Sequence, residues 1–140
     1  MLFRHPVEDI QFEIPDTWWI TAGAHNFYPS NPSYAVENHS EFPVAWIPVN
    51  GVQAPKGHSS IIRLDRDKTI SLLQAFIDDR EIPPIEVHRQ TAADSFEVKK
   101  GFHRYYISIA LGFQRLPITE RPYSFSSAIS AIYPEDGMSE

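Results

Sequence analysis

Two short stretches of this sequence carry residue types at spacings that could hold an anion. The first reads Phe96-Glu-Val-Lys-Lys-Gly-Phe-His-Arg-Tyr-Tyr106. An extended run arrives at Gly101 and a helix-forming run begins at once. The first amides of a helix have no internal partner and point toward its start, and the helix dipole adds partial positive charge there. A glycine at the turn lets a ligand approach the backbone closely. His103 and Arg104 fall in the first turn, and the planar donor fork of arginine suits a phosphate. Such a junction is also an ordinary structural turn, so this stretch alone does not define a site.

The second stretch is Leu64-Asp-Arg-Asp-Lys-Thr-Ile-Ser-Leu72. On a helix, Lys68 and Ser71 stand at i and i+3 on one side of the polar face. An ammonium and a hydroxyl side by side near a helix start could share a phosphate, although a solvated surface lysine is the commoner role. Asp65 and Asp67 are candidate carboxylates for orienting a phosphoryl acceptor, and the sequence does not choose between them.

The elements that must position these groups are short. Asp9-Ile-Gln-Phe-Glu-Ile14 alternates apolar with polar, the period of a half-buried strand, and Pro15 ends it. Asp16 is a candidate cap for a helical turn over Thr17–Ala22, stopped by Gly23. Residues 26–43 read as an irregular loop. Residues 44–49 form an edge strand, because Pro48 cannot donate to a ladder. Ile61–Leu64 is a short strand, and Asp65 or Asp67 then caps a helix to about Asp79. Ile70, Leu73 and Ile77, widened by Phe76 and Leu72, are its core stripe. Pro83-Pro84 forces an extended start to a strand at 85–88. A further strand covers 96–98, a helix Phe102–Leu111 with Gly112 as its stop, and a last strand 115–118. Residues 124–132 are a candidate helix with Phe125, Ile129 and Ile132 inward, and 134–140 a frayed tail. This predicts an α+β domain with a small mixed sheet and two principal helices. The expectation is one domain over 1–140: an aromatic extension at 1–57, a core at 58–119 and a tail at 120–140.

Composition removes several function classes. The 140 residues suit about one domain, with 42% hydrophobic and 21% charged residues. There is no cysteine, which excludes disulfides, thiolate metal sites and a thiol nucleophile. Acidic residues outnumber basic ones, 18 to 12, which disfavours nucleic acid as a partner. A local basic patch of Arg89, Lys99, Lys100, Arg104 and Arg115 is the exception to weigh. His5, His25, His39, His58 and His88 do not pair at metal-ligand spacing, and no structural zinc is expected. No apolar run approaches the ~20 residues of a membrane helix. Glu8 and Asp9 interrupt any leader core, and the expectation is a cytoplasmic protein.

Taken in order, Asp65-x-x-Lys68-x-x-Ser71-Leu72, Ile82-Pro-Pro-Ile-Glu-Val87 and Gly101-x-His103-Arg104 resemble the ParB/sulfiredoxin superfamily over about residues 58–119. The resemblance implies a nucleotide site. In sulfiredoxins the residues matching Lys68, Ser71, His103 and Arg104 hold the phosphates of ATP. ParB partition proteins grip a nucleoside triphosphate with a related Gly-x-x-Arg segment, and a free-serine kinase branch uses a Gly-His-His-Arg segment. The departures matter equally. Phe102 stands where sulfiredoxins carry their catalytic cysteine, so sulfiredoxin chemistry is excluded. The DNA-binding and dimerisation domains that follow in ParB partition proteins are not expected in these 140 residues. The expectation is therefore a branch without the cysteine.

Three functions follow as expectations. One is an ATP-dependent phosphotransferase or ATPase, using ATP or another nucleotide with Mg²⁺, since phosphoryl transfer needs positioning and charge neutralisation more than a covalent nucleophile. The alternative is a non-catalytic nucleotide-sensing module, with a protein partner docking on the aromatics of residues 18–46. A ParB-like nuclease fits least, given the acidic charge.

Overall fold

Caps and long-range strand pairs set the frame around the two motif stretches. The computed structural model describes residues 1–29, 31–37, 42–55, 61–90 and 95–120. In chain order they form β1 (Leu2–Arg4), β2 (Gln11–Glu13), α1 (Asp16–Ala22), β3 (Ala45–Pro48), a 3-10 turn (Val49–Gly51) and β4 (Val52–Gln53). There follow β5 (Ile61–Ile62), α2 (Arg66–Ile77), β6 (Ile85–Arg89), β7 (Phe96–Lys100), α3 (Phe102–Ala110) and β8 (Arg115–Glu120). The class is α+β, and α2 and α3 are the two principal helices. The candidate helix at 124–132 lies outside the described residues.

A five-stranded mixed sheet has the order β3-β8-β6-β7-β4. β6 and β8 run parallel, β7 lies antiparallel on the other side of β6, and α3 connects β7 to β8. Ile85, Val87, Leu116 and Ile118 of the central strands are buried. α3 packs on β6 and β7, α2 packs on α3, and α1 on α2. Removing Leu73, Ile85, Ile107 or Leu116, all fully buried, from water stabilises the fold by about 2 kcal/mol each.

The aromatic extension is threaded into both sheets. β3 and β4 form the two edges of the large sheet, and β1 and β2 supply two strands of a three-stranded sheet, β1-β2-β5. These strands are two to four residues long. Distant partners define them: Val52 pairs with Phe96, and Trp46 with Pro117. Within the expected loop at 26–43, Val36 makes a single bridge to Ile82.

The helices follow their local chemistry, with two departures. Asp65 caps α2, its carboxylate accepting the Lys68 amide at 2.9 Å, and Asp67 is in the first turn. Thr69, Ile70, Leu73 and Phe76 are buried, whereas Leu72 and Ile77 are only half-buried. Asp16 is not a cap. Pro15 holds that position with φ −54° and ψ 144°, and the helix begins at Asp16 itself. Gly23 and Gly112 end α1 and α3 at positive φ, 76° and 91°. Among the described residues, no helix is long and apolar enough to cross a membrane.

Candidate functional site

Gly101 opens α3 at φ 100°, ψ 36°, the left-handed conformation in which L side chains are strained. The space beside it is occupied by its own helix. A Cβ there would lie 2.8 Å from Arg104 Nη2 and 2.9 Å from Cζ. The Arg104 guanidinium therefore lies flat against the glycine. Its Nη1 donates to the carbonyl oxygen of Pro84 at 2.9 Å. Arg104 is only 4% exposed, and it ties the first turn of α3 to the segment that leads into β6.

His103 is 2% exposed. Its Nε2 accepts the backbone N–H of Asp65 at 2.9 Å. Asp65 thus joins two structures through two groups: its amide meets His103, and its carboxylate caps α2. The bond brings the starts of α2 and α3 together. Lys68 is the third residue of α2 and half-buried, and Ser71 is exposed one turn further along. Asp67 is exposed, and its Oδ1 accepts from Arg66 Nη1 at 2.9 Å. Phe102 is half-buried, with its ring centroid 4.4 Å from that of His103.

The expected site residues come to one place in the fold. Gly101, His103, Arg104, Asp65 and the start of α2 converge. His103 and Arg104, expected to stand toward a ligand, are buried and directed at backbone groups. Three of the five residues of the local basic patch meet acceptors within the chain. Arg89 Nη2 donates to Glu120 at 3.0 Å, Arg115 Nη1 to the Trp46 carbonyl at 3.3 Å, and Arg104 is buried. The N-terminal aromatics are largely used internally. Trp18 and Trp19 pack against the core, and Trp46 meets Tyr34 edge-on at 5.2 Å. Tyr28, 85% exposed, is the exception. A concavity of about 360 Å³ lined by Phe3, Trp19, Phe27, Tyr28 and Leu111 lies at the far end of α3 from Gly101.

One polar cluster was not legible in the sequence. His5 Nδ1 accepts the amides of Val7 at 3.1 Å and Glu8 at 2.9 Å, which leaves the proton on Nε2. That nitrogen donates to Tyr105 Oη at 2.6 Å, and Tyr105 donates to the Val52 carbonyl at 2.8 Å. Glu8 accepts the Ala54 amide at 2.8 Å. Burial lowers the His5 pKa, against a smaller opposing effect of Glu8, and burial raises the Tyr105 pKa far above the ordinary phenol value. The chain satisfies its buried polar groups here by linking the N-terminal segment to the middle of α3. Only a pairing of residues 100 apart in sequence reveals it.

No protein-family model matches the chain, and no curated protein matches it in sequence. Among solved structures it is similar to a conserved hypothetical protein from Pyrococcus furiosus, at 14% identity and a TM-score of 0.48 over 64% of this chain. It spans 35% of that protein. It is also similar to sulfiredoxin from Arabidopsis thaliana, at 16% identity and a TM-score of 0.43, over 64% of this chain and 96% of that one.

Proposed function

We propose that this chain is a ParB/sulfiredoxin-type domain that binds the phosphates of ATP or another nucleotide, with Mg²⁺, where α2 and α3 begin. The observation that carries the reading is the hydrogen bond from the Asp65 amide to His103 Nε2 at 2.9 Å. It sets the starts of two helices side by side, and their first-turn amides and dipoles favour an anion there. Lys68 and Ser71 lie along the same end of α2. The order of these residues matches the motif in which related proteins hold phosphates. Bound ATP would supply the transferable phosphoryl group.

Transfer to an acceptor, as in a phosphotransferase or ATPase, is the active form of this reading. One observation favours the second form, nucleotide sensing without catalysis. Asp65 uses its carboxylate to cap α2, and Asp67 is bonded to Arg66, so neither is poised as a base toward a bound phosphate. Tyr28 is then an accessible aromatic for a protein partner.

The test is calorimetry and thermal shift with ATP, ADP, CTP and inorganic phosphate, each with and without Mg²⁺. A ligand of the native state raises apparent stability with the logarithm of its excess over Kd. The Lys68→Ala variant should bind more weakly. Absence of binding at millimolar nucleotide would end the reading. Phosphate release or transfer separates the active form from the sensing form.

A further inference from the structure

We infer that His103 is a neutral positioning residue, which holds the start of α2 against α3 as a hydrogen-bond acceptor, and that protonating it opens this junction. The Asp65 backbone N–H can only donate. Nε2 therefore presents its lone pair across the 2.9 Å contact, and the imidazole proton is on Nδ1. An imidazolium carries a proton on both nitrogens. Its Nε2–H would face the Asp65 N–H, donor against donor, and the contact could not survive.

The surroundings favour the neutral ring. It is 2% exposed, and burial disfavours the charged form. From α3, the Arg104 guanidinium is the next side chain and the positive end of the helix dipole surrounds residue 103. From α2, a second positive helix end meets the same junction. The Asp65 carboxylate is turned to the Lys68 amide at 2.9 Å, and the exposed Asp67 carboxylate of the same turn is paired with Arg66 at 2.9 Å. The Phe102 ring lies against the imidazole at 4.4 Å between centroids. A positive charge at 103 would thus meet the start of two helices, with the Arg104 guanidinium on the next residue.

This changes the chemistry expected of the position. A histidine that grips phosphate does so best as imidazolium, and acid would tighten binding. A neutral acceptor that builds the junction gives the opposite sign: acid loosens the start of α2 and weakens any anion held there. The effect on affinity rests on the nucleotide reading proposed above, whereas the tautomer and its titration do not.

The experiment has two arms. Long-range proton–nitrogen correlation spectra of the full chain, labelled at histidine, read the ring directly between about pH 5 and 8. His103 should show the neutral Nδ1–H tautomer at neutral pH, as its acceptor role toward the Asp65 amide requires. An Nε2–H tautomer, or an imidazolium at neutral pH, overturns the inference. The second arm is calorimetry of Mg·ATP on wild type, His103→Gln and His103→Ala. Gln Oε1 can accept the Asp65 amide but cannot become a cation. His103→Gln should keep affinity within about threefold at pH 8 and lose the weakening on acidification, whereas His103→Ala should bind about tenfold more weakly. If His103→Gln is as weak as His103→Ala, the ring is a ligand and not a support. If wild type binds no Mg·ATP, the nucleotide reading fails and the spectra alone decide the role of His103.

Discussion

The guanidinium of Arg104 occupies the place where residue 101 would carry its Cβ, 2.8 Å from Nη2. Gly101 is therefore required twice, by its φ of 100° and by the arginine folded against it. Gly101→Ala should lower stability by about 2 kcal/mol or somewhat more, since the left-handed conformation alone costs a non-glycine residue 1–2 kcal/mol. Urea denaturation reads the loss. The double variant Gly101→Ala/Arg104→Ala should be less destabilised than the sum of the singles by about 1 kcal/mol, because removing the guanidinium removes the clash. Strict additivity would mean that the two residues do not share this space.

Arg104→Ala separates two roles of one side chain. Truncation leaves the Pro84 carbonyl without its charged donor, and stability should fall by about 2 kcal/mol with no ligand present. If the same guanidinium also turns to phosphate, nucleotide affinity should drop about ten- to a hundredfold in protein that is still folded. Arg104→Lys keeps the charge without the fork and should recover less than half of either effect. A variant that loses stability and keeps affinity would make Arg104 a clamp between α3 and β6 and nothing more.

The legible parts of this fold are those set by neighbours in sequence. Asp65 caps α2 because its carboxylate reaches an amide three residues ahead, and Gly101 and Gly112 bracket α3 because positive φ is a local demand. Asp16 shows the limit even there, since Pro15 took the cap position. β1 and β4 were illegible for a different reason. Strands of two or three residues carry no period, and Val52 is extended because Phe96 is beside it. The site divides in the same way. The junction of strand, glycine and helix places His103 and Arg104, but nothing near them in sequence says that their polar atoms would meet the amide of Asp65 and the carbonyl of Pro84. Both partners are backbone groups, which leave no signature in side-chain identity.

Position 102 bears on the activity that the resemblance to sulfiredoxins would suggest. With phenylalanine there and no cysteine in the chain, no thiol can take up a phosphorylated sulfinate. The purified protein should therefore leave a sulfinic-acid peroxiredoxin unreduced in the presence of Mg·ATP and thiol reductant. Mass spectrometry of the peroxiredoxin is the readout, and any repair above the protein-free control would contradict this reading of Phe102.

The last expectation concerns His5 and acid. Burial lowers its pKa in the folded chain, whereas in the unfolded chain it titrates near the ordinary value of about 6.5. As pH falls through that value the unfolded state binds the proton first, so stability declines with acid until the folded-state value is reached. The structural cause is specific. Nδ1 accepts the Val7 and Glu8 amides, and a proton there would displace both. Glu8 Oε2, 3.7 Å from Nε2, opposes the loss only in part. Urea midpoints measured from about pH 7 down to 5.5 should fall for wild type and fall less for His5→Gln, which cannot take up the proton. Tyr105→Phe should cost about 1–2 kcal/mol at neutral pH, because it strands both the His5 Nε2–H and the Val52 carbonyl. Equal acid slopes for wild type and His5→Gln would show that the buried imidazole is not what acid attacks in this fold.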